Sequence, residues 1–342
     1  MDATMTTSDH LLQLGHAFKG AKTLLSAVEL GVFTILSEGP LDVDALRRRI
    51  GIDVRGARDF FDALVALQLL ERDENDRYLN TPQTDLYLDS TKSSYIGGEL
   101  EHLNARVYPH WGDLTAALRT GCPQSGLRGT GNYPALYSDP EAFKTFMSGM
   151  RDGCLPAAKA AALMFPWHQY STVIDIGAAE GGFLVQIAAT HAHISGGGFD
   201  LAPVKPLFDR YVQAHGLTTR LKFNAGDFFT EELPTADVLV MGRILHNWDL
   251  VTKRMLLRKA YDALAPGGAL MVYERLIDDD RKASTAGLLA SLNMLIMTQG
   301  GFDFTGKDCV SWMSEAGFQS ISVSSLANDI SMVVGLKRAK AA

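Results

Sequence analysis

The stretch that decides the fold is "VIDIGAAEGGF", which runs from Val173 to Phe183. An apolar run ends beside an acidic residue, Asp175, and a turn of small residues follows. Gly177 and Gly181 allow a tight turn and let a ligand approach the backbone closely. Taken alone, the pattern is typical both of a nucleotide-like cofactor loop and of a plain strand-to-helix turn. The residues that follow it must separate the two.

Two acidic residues farther along favour the cofactor loop. Asp200 closes the next apolar run, "GGGFD", at the spacing of about 20 residues at which a carboxylate meets ribose hydroxyls. A carboxylate suits ribose because it accepts hydrogen bonds from two neighbouring hydroxyls at once. Asp227 closes a third run in "AGDFF", and Phe228 beside it offers a flat apolar ring for a purine. Alone, Asp227 is equally typical of a turn or a helix cap.

From Ser171 onward, short apolar runs alternate with helical stretches. This alternation predicts an α/β fold of the doubly wound, Rossmann-like type, with a mostly parallel sheet covered by helices on both faces. Ligands of such sheets bind at the carboxyl ends of the strands. "ILHNWD" follows the run "DVLVMG" and brings His246 to that edge, and "LAPGGALMVYE" ends there at Glu274.

The first third of the chain has the order of a winged helix-turn-helix: a short helix, a turn at Gly51, a second helix and two strand-like pieces around "RDENDR". Arg55 and Arg58 would face DNA, but Asp59 and Asp62 compete with them. Structural or dimerisation use is therefore favoured over DNA binding. We predict a helical winged-helix-like dimerisation domain over 1–100, a helical linker and substrate-pocket segment over 101–165, and a catalytic domain over 166–342.

Composition excludes several classes of protein. The chain has 342 residues, a net charge of −7 and no cluster of basic residues, which disfavours a nucleic-acid partner. It contains no long apolar run and starts without the pattern of a signal peptide, so we expect a cytoplasmic protein with no membrane partner. Three scattered cysteines argue against disulfides or a clustered zinc site. The "HAH" at His191 to His193 lacks a carboxylate at ligand spacing, so we expect no metal.

The ordered set of "DIGAAEGG", the strand-end acid of "GGGFD", "AGDFF", "LHNWD" and "PGG" resembles the class I S-adenosylmethionine-dependent methyltransferases. The likeness is to the small-molecule O-methyltransferases related to caffeate and hydroxyindole O-methyltransferases, and it covers nearly the whole chain. It implies S-adenosyl-L-methionine as cofactor, a small, aromatic, hydroxyl-bearing substrate, and a homodimer in which the N-terminal domain closes over the partner's active site.

The resemblance also implies roles for particular residues. His246 is the general base, and Glu274 and Asp303 are the two acids that flank it. The cofactor site comprises Asp175, Gly177, Glu180, Asp200, Leu201, Asp227, Phe228, Arg243 and Trp248. Two segments, "FKTFMSGMRDG" and "LNMLIMTQGGFDFT", are similar to the substrate-pocket helices and the acid-bearing segment. The substrate-binding residues are Phe146, Met150, Met294, Met297 and Thr298.

Departures from the family pattern leave alternatives open. The glycine-rich loop becomes Gly177-Ala178-Ala179-Glu180-Gly181, in which Glu180 would either bond the cofactor's ammonium group or crowd the site. Asn247 replaces the usual Asp after the base, and Asp303 is one methylene shorter than the usual Glu. Methyl transfer to carbon or nitrogen, non-methylating chemistry on the same scaffold, and a transcription regulator built on the winged unit stay as competing hypotheses.

Overall fold

The computed structural model describes residues 8–92, 94–125, 139–327 and 329–339. The chain divides into two compact units, residues 1–108 and 109–342. The loop expected at "TGCPQSGLRGTGNYP" extends to Pro134, and its residues from 126 onward lie outside the described ranges. Among the described residues, no helix has the length and apolarity needed to cross a membrane.

The N-terminal unit is helical with a small hairpin. Its helices are α1 (Asp9–Glu29), α2 (Val32–Leu36), α3 (Val43–Ile50), α4 (Val54–Ala66), α5 (Pro82–Leu88) and α6 (Gly97–His102). Strands β1 (Leu70–Arg72) and β2 (Tyr78–Asn80) pair in antiparallel fashion, as the "RDENDR" pattern predicts. Asp42 and Asp53 cap α3 and α4 by accepting hydrogen bonds from backbone N–H groups, and the helices pack over a core around Phe33 and Phe61.

The second helix of the winged unit carries balanced rather than positive charge. Arg58 lies 3.7 Å from Asp62, and Arg72 of the hairpin reaches the same carboxylate at 3.0 Å. A helix that reads DNA must present uncompensated cations to phosphate, so this pairing fits the structural use expected from the sequence.

The C-terminal unit is built on a seven-stranded sheet in the order β5-β4-β3-β6-β7-β9-β8. Its strands are β3 (Thr172–Ile176), β4 (Ser195–Asp200), β5 (Leu221–Ala225), β6 (Ala236–Gly242), β7 (Leu264–Glu274), β8 (Gln319–Ala327) and β9 (Ile330–Leu336). Strands β3 to β7 are mutually parallel, and β9 pairs antiparallel with both β7 and β8. The chain passes from β3 outward to β5 and returns to β6, so β3 and β6 form the switch point at which such sheets bind ligands.

Helices cover the sheet on both faces, and each face buries its own apolar cluster. The helices of this unit are α8 (Leu114–Thr120), α9 (Pro140–Met164), α10 (Gly182–Thr190), α11 (Lys205–Ala214), α12 (Leu250–Ala263), α13 (Thr285–Met297) and α14 (Gly306–Ala316). A π-helical turn, Leu103–Val107, and the short α7, Tyr108–Trp111, precede them. The fold is the doubly wound, Rossmann-like class that the sequence predicted, with a helical N-terminal unit.

Candidate active site

The first group at the carboxyl edge of the sheet joins His246, Glu274 and Asp303. His246 lies in a 3-10 turn, Leu245–Asn247, that follows β6, and Glu274 is the last residue of β7. The imidazole Nδ1 lies 3.3 Å from Asp303 Oδ1 and 3.7 Å from Glu274 Oε2. The backbone N–H of His246 also donates to Glu274 Oε1 at 3.3 Å. One ring nitrogen therefore faces two carboxylates, and the other stays available to a substrate.

Burial makes these interactions strong. His246 is 9% exposed, Glu274 1% and Asp303 2%. Burial alone would lower the pKa of His246, but Glu274 and Asp303 outweigh it and raise that pKa above its ordinary value. Burial raises the pKa of Glu274 to about 7, against the opposing effect of His246. In this buried group, the proton affinities of His246 and Glu274 therefore depend on each other and on Asp303.

The loop after β3 forms the second group. Gly177 has φ +74°, and a Cβ there would stand 2.3 Å from Ile244 Cδ1, so only glycine fits this position. The Ala179 N–H donates to Asp200 Oδ2 at 2.9 Å, and the Leu201 N–H donates to Oδ1 at 2.7 Å. Asp200 is therefore oriented at the end of β4, and each oxygen keeps a lone pair for a further donor.

Two carboxyl groups of this loop region are strongly influenced by burial. Asp175 lies within β3, and burial together with the charge of Asp200 raises its pKa well above the ordinary value. Burial also raises the pKa of Asp200, to about 6, although its two backbone hydrogen bonds act in the opposite direction. Two buried acids with raised pKa values, one of which keeps lone pairs for a further donor, are more typical of a ligand site than of a plain turn.

An aromatic group adjoins the end of β5. The Phe228 ring meets Trp248 edge-on at 5.8 Å, and Phe229 meets the same indole at 4.8 Å. Trp248 Nε1 is buried and has no hydrogen-bond partner among the described residues. Asp227 Oδ1 accepts a hydrogen bond from the Phe229 N–H at 2.9 Å, a contact within the turn after β5.

Glu180 is held by a cation that the sequence reasoning missed. Its carboxylate lies 2.5 Å from Arg151 Nη1, and Arg151 also binds Asp152 at 2.7 Å. Arg151 stands on α9, so the pair joins this helix to the loop after β3. An acid predicted inside a ligand-binding loop requires a neutralising partner, and that requirement was the available signal. Arg243, after β6, has φ +56°, and its charge acts to lower the pKa values of His246 and Glu274, although both pKa values remain above their ordinary values.

Asn247 has a structural role in the turn that carries His246. Its side-chain amide donates to the carbonyl oxygens of Arg243 at 2.9 Å and Ile244 at 3.3 Å. A carboxylate has no donor for these carbonyls. The Asn in place of the Asp expected from the family pattern therefore adds hydrogen bonds within the turn after β6.

The expected substrate-pocket residues lie on two helices. Phe146 and Met150 are half-buried on α9, and Met294 and Met297 lie on α13, which packs against the turn of His246. Thr298 ends α13, where its hydroxyl donates to the Met294 carbonyl and accepts from the Gly301 N–H. The structure thus packs α13 against the turn that carries His246, and Thr298 acts as a local cap of that helix.

A second residue that sequence reasoning missed is Lys253, which is fully buried on α12. The signal was available, because positions 253, 256, 257 and 260 form the buried stripe of this helix and a lysine occupies one of them. Burial lowers its pKa to about 8, while Glu274 and Asp303 act to raise it. A buried cation therefore stands within electrostatic reach of both acids.

The donor atoms of His246, Glu274 and Asp303 lie within 4.8 Å of one another, a spacing that also suits a metal ion. Lys253 already supplies positive charge beside the two carboxylates, and like charges repel. The arrangement favours acid–base chemistry over metal binding. His191 and His193, the other pair considered, have their ring nitrogens 2.7 and 3.1 Å from the carbonyl oxygens of Ala162 and Trp167.

Comparison with known proteins agrees with this geometry. The family model of the O-methyltransferase domain matches residues 111–319, and that of the O-methyltransferase dimerisation domain matches residues 12–90. The chain is 41% identical to the tetracenomycin polyketide synthesis 8-O-methyl transferase TcmO of Streptomyces glaucescens, over 96% of both chains. It is 36% identical to the N,N-dimethyltransferase OxyT of Streptomyces rimosus, over 93% of this chain and 92% of OxyT.

A solved structure extends the likeness to three dimensions. Human N-acetylserotonin methyltransferase, determined in complex with S-adenosylmethionine, superposes with a TM-score of 0.90 at 26% identity, over 99% of this chain and 100% of the human one. The motifs, the sheet order and both family models point the same way. The chain belongs to the S-adenosylmethionine-dependent small-molecule O-methyltransferases and carries the dimerisation domain of that family.

Proposed function

We propose that this protein methylates a phenolic hydroxyl of a polycyclic aromatic metabolite, with His246 as the general base. The observation that carries the proposal is the contact of His246 Nδ1 with Asp303 and Glu274 at the ligand-binding edge of the sheet. This contact favours the tautomer with its proton on Nδ1, so Nε2 presents a lone pair to the substrate hydroxyl.

The acids have a defined share in this chemistry. When His246 takes the phenolic proton, an imidazolium forms in a buried site, where an isolated charge is costly. Asp303 and Glu274 stabilise that cation and orient the ring. The raised pKa of His246 makes it a stronger base than free imidazole and also means that it is blocked by protonation at mildly acidic pH.

The residues after β3, β4 and β5 fit S-adenosylmethionine. Asp200 would accept hydrogen bonds from the ribose hydroxyls, and Gly177, whose left-handed φ and contact with Ile244 leave no room for a side chain, would keep the tight turn beside them. Asp227, Phe228 and Trp248 would flank the adenine, with Asp175, Leu201 and Arg243 completing the site. The cofactor, when bound, supplies an electrophilic methyl group on a positively charged sulfur.

Glu180 would serve the cofactor site through Arg151. The ion pair occupies the carboxylate, which supports a role in shaping the loop over direct contact with the cofactor's ammonium group. Arg151 is itself stacked over the Tyr211 ring at 5.4 Å, so the cation is fixed on a second side.

The substrate class is inferred from the pocket and from TcmO. Methionine and phenylalanine side chains at Phe146, Met150, Met294 and Met297 suit flat rings of irregular outline, because methionine adapts its shape to its contacts. TcmO acts in polyketide synthesis, as its name states. A phenolic aromatic polyketide is therefore the acceptor to test first, within the secondary metabolism in which TcmO works.

Nitrogen methylation is the second candidate, and one observation favours it. OxyT, an N,N-dimethyltransferase, is 36% identical over 93% of this chain. A neutral amine would attack with its nitrogen lone pair, and the same base could accept the proton, either from a protonated amine before attack or from the methylated product after it. The position of the new methyl group, read by NMR of the product, separates oxygen from nitrogen and carbon acceptors.

The proposal also covers the assembly of the chain and the functions of its three segments. Helix α1 exposes Leu11, Leu14 and Phe18, each more than half exposed, although the unit that contains them has its own core. A second copy of the chain would cover such a stripe, which makes a homodimer the expected assembly. We keep the functional division into residues 1–100, 101–165 and 166–342, and a cytoplasmic location, as parts of the proposal.

Two variants test the function. His246→Ala should abolish methyl transfer to phenols while titration calorimetry with S-adenosylmethionine still finds the wild-type affinity. Asp200→Ala should instead lose affinity for S-adenosylmethionine and S-adenosylhomocysteine. Near-normal turnover by His246→Ala would remove it from the base role. Full activity after treatment with EDTA is expected, and its loss would favour a metal site.

A further inference from the structure

Lys253 occupies a position that the pattern of its helix reserves for apolar side chains. It shares the buried stripe of α12 with Leu256, Leu257 and Ala260, at the helical spacing of three, four and seven residues. Its exposure is 0%. A buried ammonium group is stable only where other groups compensate its lost hydration, so its surroundings explain why it is tolerated.

Those surroundings are the supports of the catalytic group. The Lys253 Nζ donates a hydrogen bond to the carbonyl oxygen of Trp248, the residue that ends the turn carrying His246. It also lies 3.4 Å from the centroid of the Phe302 ring and 5.6 Å from that of Phe304, the two residues that flank Asp303 in the chain. Lys253 therefore contacts the segments on both sides of the His246–Asp303 contact.

The charges around Lys253 are predominantly negative. Glu274, Asp303 and Asp249 each act to raise its pKa, although burial has the larger, lowering effect. On the other side, Arg243 acts on His246 and Glu274 as a second cation. While His246 is neutral, Lys253 and Arg243 therefore offset the charges of the two carboxylates, and Lys253 accounts for one of them.

We propose that Lys253 is a positioning residue that offsets one carboxylate charge and so keeps the His246–Glu274–Asp303 group free to accept a proton at neutral pH. The inference rests on the proposed function, in which His246 is the base. Without the cation, two buried carboxylates beside an imidazole would bind a proton more tightly. The group would then already hold a proton before the substrate hydroxyl could transfer its own proton to it.

The charge and the hydrogen bond of Lys253 can be separated by substitution. Lys253→Gln keeps a donor for the Trp248 carbonyl but removes the charge, Lys253→Met removes both, and Lys253→Arg keeps the charge. Lys259→Gln is the matched control, because Lys259 stands on the same helix and also donates to a backbone carbonyl, that of Phe228 at 2.7 Å.

The readout is the pH profile of kcat/KM. Lys253→Gln and Lys253→Met should move its acidic limb to higher pH by about one unit, the size of shift that one nearby charge produces. At pH values below the limb, their kcat/KM should be about tenfold lower than that of the wild type, and at alkaline pH it should recover. Lys253→Arg and Lys259→Gln should leave the limb in place. A limb that stays in place in Lys253→Gln, or a loss that is equal at all pH values, would overturn the proposal.

A second measurement does not depend on turnover. The imidazole resonance of His246, assigned by its absence from His246→Ala, is followed against pH in the wild type and in Lys253→Gln. An upward shift of the group's titration supports the inference even if His246→Ala stays active, and in that case only the base role fails. Should Lys253→Gln not fold, the double variant Lys253→Gln/Glu274→Gln should fold, and its failure too would contradict charge balance.

Discussion

The Nδ1 atom of His246 lies 3.3 Å from a carboxylate oxygen of Asp303, within a site that is almost completely buried. Neither oxygen of Asp303 has a hydrogen bond of good geometry to any other residue that the structure describes. The carboxylate therefore has the imidazole as its principal partner. At this distance, an acid one methylene shorter than the Glu expected from the family pattern still reaches the imidazole.

Asp303→Asn should move the acidic limb of the pH profile to lower pH. Asp303 favours the imidazolium, so removing its charge lowers the pKa of His246 and leaves the ring neutral at lower pH. The rate above the limb should fall about 100-fold, because the imidazolium formed in the reaction loses its stabilising partner. Asp303→Glu is the control that keeps the charge. An unmoved limb in Asp303→Asn would show that Asp303 does not act on His246.

The acids at the edge of the sheet could be placed from the sequence because strand order imposes their proximity. Parallel strands end at one edge, so the alternation of strands and helices requires Asp200 and Glu274 to lie along it. The apolar runs fixed the strands, and the acids followed them directly. No long-range contact was needed for that inference.

The contacts of Arg151 and Lys253 could not be read in this way. The spacing of α12 shows that position 253 faces the core, but it does not say which residues meet it there. Arg151 and Glu180 are 29 positions apart and belong to a helix and a loop whose approach is set by packing. The hydrogen bonds of Asn247 were equally hidden, because they depend on the turn geometry after β6. Pairing across elements is a tertiary property.

Arg151→Met should destabilise the protein more than Glu180→Gln. Arg151 is the cation that Glu180 and Asp152 share, so its loss leaves buried acids without it, whereas the loss of Glu180 leaves Arg151 bound to Asp152. We expect the free energy of unfolding to fall by about 3 kcal/mol in Arg151→Met and by about 1 kcal/mol in Glu180→Gln, measured by urea denaturation.

The matched control for that pair is Lys205→Met. Lys205 lies 2.6 Å from Asp209, but both side chains are half exposed, and such pairs contribute little. Titration calorimetry adds a functional test. In Arg151→Met, the loop after β3 no longer has its ion pair with α9 and should bind S-adenosylmethionine more weakly. Equal stability of Arg151→Met and Lys205→Met would contradict the view that the buried pair holds the loop to α9.

Gly177→Ala should weaken cofactor binding, whereas Ala179→Gly should not. Gly177 has φ +74° and a Cβ there would stand 2.3 Å from Ile244 Cδ1, so the substitution strains the backbone and displaces Ile244. The left-handed conformation alone costs about 1–2 kcal/mol for an alanine. We expect at least a tenfold loss of affinity for S-adenosylmethionine by calorimetry.

Ala179 supplies the opposite test within the same loop. It already adopts φ +47°, so glycine relieves strain there while the N–H that donates to Asp200 remains. The free energy of unfolding of Ala179→Gly should stay within about 1 kcal/mol of the wild-type value. Relief of strain in the folded state and greater freedom of the unfolded chain oppose each other in this variant. A loss of affinity equal to that of Gly177→Ala would mean that the loop tolerates no change at all.

The exposed stripe on α1 should hold two copies of the chain together. Leu11, Leu14 and Phe18 recur at helical spacing and are 71%, 67% and 55% exposed. Leu14→Asp should therefore shift the mass found by light scattering from twice the chain mass of 37.2 kDa to the single value. Gln13→Asp, on the opposite side of the same helix, should leave the assembly intact. A dimer that survives Leu14→Asp would place the interface elsewhere, and a monomeric Gln13→Asp would show that charge on α1, rather than its apolar stripe, decides assembly.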